Sequence, residues 1–289
     1  MRNIKIGKRS IGNNENVYII AEIGINHNGD LNIAKKLIDV AVSSGCDAVK
    51  FQKRNPEKCV PINQRDKLRE TPWGTLTYLE YRYKVEFERE EYDEINQYCK
   101  EKNITWLASS WDEDSLSLID SYNVIAHKIP SAALTNDNLV KKFNDTGKII
   151  ILSTGMSTVD EIEHAISLID QDRLILLHST STYPCPPNEL NLNVIRKYIE
   201  KYDFPIGYSG HEVGLQTTCA AVVIGAKVIE RHITLDRAMW GTDQAASVEP
   251  QGMMRLVRDI RTVEEALGDG VKKVYDSEIP IKEKLRYRL

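Results

Sequence analysis

The sequence predicts a closed (β/α)8 TIM barrel as a single α/β domain. Three observations lead there. Short β-rich runs alternate strictly with amphipathic helical stretches; the alternation repeats eight times; and the repeats fill residues 17–267. Strict alternation implies a parallel sheet with helices outside it, and eight units in about 250 residues match a closed barrel. An open doubly wound sheet is the alternative. It is disfavoured because no GxGxxG follows the first strand and no GxxxxGK occurs anywhere.

The first unit is the clearest. The run 17–23 is apolar enough for a buried strand, and turn residues Asn26-His-Asn-Gly29 end it. Asp30 can cap a helix over 31–44, whose apolar positions Leu31, Ala34, Leu37, Ile38 and Ala41 recur at three-to-four spacing. Gly45 suits the residue just past its end. A second strand follows at 48–52. Further strands are predicted at 105–109, 124–129, 149–153, 174–178, 205–208 and 227–232. Helices are predicted at 88–102, 113–121, 136–146, 158–169, 191–201, 214–225 and 251–267. Ser157 and Asp160 have capping-box spacing at the head of the fifth helix. Gly268 and Gly270 stop the last one. Residues 1–270 therefore form the barrel domain, and 271–289 a short charged tail.

The connection 53–85 is long, and loops of that length are usually functional or mobile. Its aromatic residues Trp73, Tyr78, Tyr81 and Tyr83 suit two roles. One is a surface excursion on the barrel rim; the other is a lid or subunit contact.

Composition narrows the function. Of 289 residues, 42% are hydrophobic and 28% charged, as in an ordinary soluble domain. With 38 basic and 42 acidic residues the formal charge is −4, which argues against general nucleic-acid binding. The first ten residues lack an apolar signal-peptide core, and no apolar run is long enough to span a bilayer. Five scattered cysteines without a CxxC pair read as reduced thiols, implying a cytoplasmic protein.

In such a barrel, catalytic groups sit at the C-terminal strand ends. Those ends offer Glu22, then Lys50 and Gln52, Ser109, Lys128 and Ser131, Ser153, His178 and Tyr183, Ser209 and His211, and finally Glu230, His232 and Asp243. A lysine ending a buried strand is costly unless an anion matches it. For one lysine, a neighbouring Glu or Asp is the simpler partner. Lys50 and Lys128 together with the serines suggest a bound phosphate or carboxylate. His211 and His232, at adjacent strand ends, are either satisfied core histidines or ligands of a divalent ion. His27 lies in a turn and orients backbone; His164 falls on a helix and faces solvent.

Six ordered motifs then carry a resemblance that covers residues 15–270. They are Ala21-Glu-Ile-Gly-Ile-Asn-His-Asn-Gly29, Asp47-Ala-Val-Lys-Phe-Gln52, Leu152-Ser-Thr-Gly-Met156, Leu177-His-Ser-Thr-Ser-Thr-Tyr-Pro184, Ile206-Gly-Tyr-Ser-Gly-His211 and Glu230-Arg-His-Ile-Thr-Leu-Asp236. Together they resemble the sialic acid synthase family. The resemblance implies condensation of phosphoenolpyruvate with an N-acetylmannosamine-like sugar, giving a nonulosonic acid and phosphate by C–O cleavage. It also implies a homodimer and a Mn2+ or Mg2+ ion bound by His211 and His232. Lys50, Lys128, Ser131, Ser153 and Ser209, with Ser109 beside them, would hold phosphoenolpyruvate. Glu22 would orient or deprotonate water, with Asn26 assisting; Gln52, Tyr183 and Asp243 would meet the sugar.

Three departures fall on the sugar half. Lys128-Ile-Pro-Ser-Ala-Ala133 has alanine where the family often has a sugar-facing glutamate. The segment Trp240-Gly-Thr-Asp-Gln244 differs from the usual Gly-Pro-Asp-His. The chain is expected to end before the family's C-terminal antifreeze-like domain, so the 53–85 or 240–244 loop is expected to close over the acceptor. Rival readings are a 3-deoxy-octulosonate phosphate synthase-like enzyme, which needs a further basic pocket beyond Arg54 and Arg65, and a non-catalytic sugar-binding descendant. A glycoside hydrolase would need two opposed carboxylates and leaves the lysines unexplained.

Overall fold

A computed structural model describes residues 1–286. Its eight barrel strands are β1 (Tyr18–Gly24), β2 (Ala48–Lys53), β3 (Thr105–Ser110), β4 (Ala126–Ile129), β5 (Ile149–Ser153), β6 (Leu174–Ser179), β7 (Ile206–Gly210) and β8 (Val228–His232). They pair in sequence order, all parallel, and β8 closes on β1. The helices that follow them are α1 (Leu31–Ser44), α2 (Arg89–Glu101), α3 (Glu113–Asp120), α4 (Asp137–Asp145), α5 (Val159–Ser167), α6 (Asn193–Lys201), α7 (Gln216–Ile224) and α8 (Pro250–Leu267). The barrel expected from the alternation is the barrel observed.

Local chemistry sets the boundaries. The Asp30 carboxylate accepts from the backbone N–H groups of Asn32 and Ile33 and so opens α1. Gly45, at φ +81°, closes it in the left-handed conformation. The capping box at α5 is formed by Thr158 and Glu161, one residue beyond the pair expected at Ser157 and Asp160. That shift leaves Ser157 in the loop, where its hydroxyl bonds the Gly155 carbonyl.

Side chains alternate across each strand, and this sorts the interior into two cores. Outward residues such as Ile19, Val49, Leu152 and Ile229 pack beneath the helices. Inward residues Tyr18, Ile20, Ala48, Leu107, Ala126, Ile151, Ile175, Leu177 and Val228 fill the lower barrel. An N-terminal hairpin, Ile4–Ile6 paired with Arg9–Ile11, plugs the bottom with Ile4, Ile6 and Ile11. The sequence reading assigned no structure to this segment, because three-residue strands carry too little periodicity.

The 53–85 connection is structured. It contains a short helix Pro56–Cys59, an antiparallel hairpin Leu68–Thr71/Gly74–Thr77, and a helix Tyr78–Val85 opened by a Thr77–Glu80 capping box. Residues 268–286 are exposed and carry a 3-10 turn, Asp276–Glu278, and a short helix, Ile279–Leu285. Its last three residues, 287–289, lie outside the described residues. Among the described residues no helix is long and apolar enough to cross a membrane.

Candidate active site

Two residues further up, on six of the strands, the inward positions turn from apolar to polar or charged. Ile20 is followed by Glu22, Ala48 by Lys50 and Gln52, Leu107 by Ser109, Ala126 by Lys128, Ile151 by Ser153, and Val228 by Glu230 and His232. These side chains line a cavity of about 200 Å³ at the C-terminal mouth, with Trp111, Ser131, Ser179, Tyr183, Ser209 and His211.

The floor is a four-charge lattice. Lys50 Nζ lies 2.8 Å from Glu22 Oε2 and 3.6 Å from Glu230 Oε1; Lys128 Nζ lies 3.7 Å from the same Glu230 oxygen. Each ammonium also donates to a serine, Lys50 to Ser109 at 2.8 Å and Lys128 to Ser153 at 2.6 Å. Ser209 Oγ donates to Glu230 Oε1 at 3.1 Å, and Gln52 Nε2 to Glu22 Oε1 at 3.0 Å. All four charged groups are almost wholly buried. The simpler partner considered for each lysine, a nearby carboxylate, is therefore present for both, and the pairs sum to zero charge.

The lattice is uneven. Burial lifts the Glu22 carboxyl to about 7 against the pull of Lys50. Burial also favours the neutral form of Glu230, but Lys128 and Lys50 overcome it and hold that carboxyl down to about 2. Burial drops Lys128 to about 8, while Lys50 is raised because Glu22 and Glu230 outweigh its desolvation. Two carboxylates and two amines of the same kinds are thus driven apart, the pattern of an acid–base site. Glu230 Oε2 and Ser179 Oγ carry no hydrogen bond within the chain, although both are buried. Buried polar atoms left open in a cavity suit a polar guest.

Above the floor, the rings of His211 and His232 lie 5.4 Å apart. His211 Nδ1–H donates to the Thr180 carbonyl at 2.8 Å, so Nε2 is the basic nitrogen, and Tyr183 OH donates to it at 2.8 Å. His232 Nδ1 is buried without a hydrogen bond, 3.8 Å from Asp243 Oδ2. Burial lowers His211 to about 3 and His232 to about 4, so both stay neutral, the form that ligates metals. An imidazole fixed by a backbone carbonyl through its other nitrogen is the usual support for a metal ligand. Among the described residues no cluster of three or more His, Cys, Asp or Glu side chains converges as a complete ligand set. His211 Nε2, which here accepts from Tyr183 OH, and the His232 ring are neutral nitrogen donors of the kind that bind a divalent ion, which would need its other positions filled by water and substrate oxygens.

Comparison with known proteins gives this geometry its context. The NeuB family model matches residues 37–272. The N,N'-diacetyllegionaminic acid synthase of Campylobacter jejuni is 40% identical over 271 residues, 90% of this chain and 80% of that protein. The chain belongs to the NeuB family. It is an enzyme of the sialic acid synthase type. The human N-acetylneuraminate-9-phosphate synthase is 38% identical over 286 residues, covering 96% of this chain and 78% of that one. A solved N-acetylneuraminic acid synthetase from Leptospira borgpetersenii, in complex with citrate, superposes with a TM-score of 0.87 at 34% identity, covering 99% of this chain and 98% of that one. A 3-deoxy-D-arabino-heptulosonate 7-phosphate synthase from Thermotoga maritima, at 16% identity and TM-score 0.71, shares the fold.

Within this NeuB barrel, most sequence-predicted site residues meet in the cavity, and three do not: Asn26, Asp243 and His178, whose ring turns outward to the Leu190 carbonyl at 2.7 Å. The Asn26 amide is committed among the loops that follow β1 and β8, donating to Ile233 O and Ser247 Oγ at 2.8 Å each. Through Nδ2 it ties β1's loop to β8's loop, while its Oδ1 is buried without a hydrogen bond. Asp243 stands behind His232, outside the cavity lining, and Ser131 Oγ is shared with the Gly155 N–H. Ala133 is buried and lies off the lining, while its neighbour Ala132 is on it. His27 is stacked on Phe87, and His164 is exposed and paired with Asp137.

Glu230, Trp111 and Ser179 are cavity residues to which the sequence reading gave no role. For Glu230 the signal was legible, since it is two residues from Val228 and from His232 on one strand face. Trp111 enters from a loop, where no periodicity points at it. Arg54, noted as a possible basic group, is buried over the Trp111 ring at 4.0 Å and faces Glu86, which Arg82 also contacts.

Proposed function

We propose that this enzyme condenses phosphoenolpyruvate with an N-acetylmannosamine-like open-chain sugar, releasing phosphate and a nonulosonic acid. The observation that carries this reading is the buried lattice of Lys50, Lys128, Glu22 and Glu230 beneath two neutral histidines. It occurs in a chain whose relatives include synthases of legionaminic acid and N-acetylneuraminate 9-phosphate.

Lys50, Lys128, Ser109, Ser131, Ser153 and Ser209 would hold the phosphate and carboxylate, donating charge-assisted hydrogen bonds. Their fixed geometry aims C3 of phosphoenolpyruvate at the sugar aldehyde. As the C3–C1 bond forms, positive charge develops at C2, and water adds there. Glu22, near 7, is divided between acid and carboxylate at neutral pH and can take the water proton. The C2–O bond then breaks as the C2 hydroxyl gives up its proton and becomes the ketone, the bridging oxygen leaves with phosphate, and the former aldehyde oxygen takes up a proton to become a hydroxyl. Gln52 and Tyr183 line the upper cavity, where the acceptor would lie. A divalent ion on His211 and His232, Mn2+ or Mg2+, would supply Lewis-acid polarisation of the aldehyde.

The deciding experiment is phosphate release from phosphoenolpyruvate labelled with 18O at the bridging position, with Mn2+ and a panel of free and phosphorylated amino sugars. Label in the phosphate, dependent on one amino sugar, is the expected result. No release with any sugar, or release only with unaminated aldose phosphates, overturns the reading.

A further inference from the structure

Among the described residues Arg231 is the largest fully buried side chain, and the proposed chemistry gives it no work. It lies on the outer face of β8, between Glu230 and His232, which both face the cavity. Its partner is Glu212, which follows His211 directly. The strand register sets Gly210 beside Arg231 and Ser209 beside Glu230. The two histidines face each other inside the mouth while Glu212 and Arg231 face each other behind it, so each imidazole is one peptide unit from one arm of the ion pair.

This pair is heavily tied. Arg231 Nη1 reaches Glu212 Oε1 at 3.2 Å, the Gly214 carbonyl at 3.0 Å and Thr218 Oγ1 at 2.5 Å, and Nη2 donates to the Glu212 carbonyl at 2.7 Å. Glu212 accepts from Tyr208 OH at 2.9 Å, Thr217 Oγ1 at 2.7 Å and Thr218 Oγ1 at 2.9 Å. The pair lies across Gly210. A Cβ there would stand 2.5 Å from Glu212 Oε2 and 3.1 Å from Arg231 Cδ, so the glycine makes room for it. Both partners are 1% exposed. A buried ion pair contributes little net stability compared with apolar side chains of similar size, because desolvation offsets the attraction. What such a network does provide is one fixed separation between the segments it joins.

We propose that Glu212–Arg231 is a positioning clamp. It locks the end of β7 to the end of β8 from outside the barrel and so holds His211 and His232 at the separation needed to grip one divalent ion. The inference rests on the metal-binding part of the proposed function and deepens it.

The test titrates Mn2+ alone into the metal-free protein, following free Mn2+ by its paramagnetic resonance signal, and measures phosphoenolpyruvate affinity separately. The clamp variant is Glu212→Gln with Arg231→Met, which removes both charges together and leaves none unpaired. Expected are a retained circular dichroism spectrum, Mn2+ affinity weakened roughly 10- to 100-fold, and a much smaller change in phosphoenolpyruvate affinity, since Lys50 and Lys128 stand on β2 and β4 and only Ser209 and Glu230 share the clamped seam. Tyr208→Phe, which removes a single hydrogen bond to Glu212, should weaken Mn2+ several-fold and carries the test should the double variant fail to fold. Wild-type Mn2+ affinity in a folded clamp variant, or in Tyr208→Phe when that variant must decide, overturns the clamp while the metal reading stands. Mn2+ binding that survives His211→Ala and His232→Ala, or is absent from the wild type, overturns both.

Discussion

At the scale of single residues, the site is governed by who neutralises whom. Lys128 is the more weakly compensated of the two amines, with its carboxylate contact at 3.7 Å and its charge disfavoured by burial. Lys128→Ala should therefore weaken phosphoenolpyruvate by roughly 1.5–3 kcal/mol, the worth of a charged hydrogen bond, while the acceptor KM holds. Steady-state kinetics with each substrate varied will show it. Away from the chemistry, His27 is a buried neutral imidazole, stacked 3.9 Å from Phe87 and accepting the Gly29 N–H at 3.1 Å. Burial lowers its pKa from 6.5 to about 3. The unfolded chain takes up this proton below 6.5 and the folded chain does not, so the stability contribution is full above 6.5 and is lost as the pH falls toward 3. Between pH 7 and 5 that loss is about 2 kcal/mol. In urea titrations at the two pH values, His27→Gln should shrink the wild-type difference by about that amount; an unchanged difference would show that His27 is protonated in the folded state.

At the scale of elements, the two loops expected to cover the acceptor are already in contact. Trp240 meets Trp73 of the hairpin edge-on at 5.7 Å and Tyr81 of the following helix at 5.2 Å. Asn28 Nδ2 also donates to the Trp240 carbonyl at 2.8 Å, which ties this edge to β1's loop. Such aromatic contacts pack the two loops into one unit. Hydrogen exchange at 68–77 and 238–244 should slow when acceptor and phosphoenolpyruvate are both bound. Trp240→Ala should raise the acceptor KM roughly tenfold, equivalent to about 1.4 kcal/mol, and leave the phosphoenolpyruvate KM alone. Equal exchange with and without substrates would remove the lid from the account. The hairpin escaped sequence reading because its side chains are largely exposed, so no alternation was imposed on them. The Thr77–Glu80 capping box that starts the next helix was there to be read.

Over the whole molecule, stability and chemistry occupy opposite ends of the barrel. The bottom is closed by the N-terminal hairpin, whose Ile6 and Ile11 are almost completely buried against the inward apolar layer. Truncating either to alanine should cost roughly 2–5 kcal/mol, read in denaturant unfolding, with kcat per folded molecule unchanged. A matching fall in kcat would mean that the ionic layer senses the plug through the core.

The sequence by itself determined the eight-unit alternation, the parallel barrel and the polar residues at the strand ends, Glu22, Lys50, Lys128, Ser153, Ser209 and His232 among them. The physical reason is that strand and helix patterns are local and a parallel barrel brings every strand's C-terminal end to one mouth, whereas His178, read in the same way, turned outward once the barrel closed. Only the tertiary structure decided how those charges pair. The salt bridge of Lys50 to Glu22, the sharing of Glu230 by two lysines and the diversion of Asn26 to Ile233 and Ser247 join strands distant in sequence, and local pattern is blind to distances between them. The clamp behind the histidines is of the same kind. Glu212 and Arg231 are nineteen residues apart along the chain, and they become partners because closure of the barrel sets β7 beside β8.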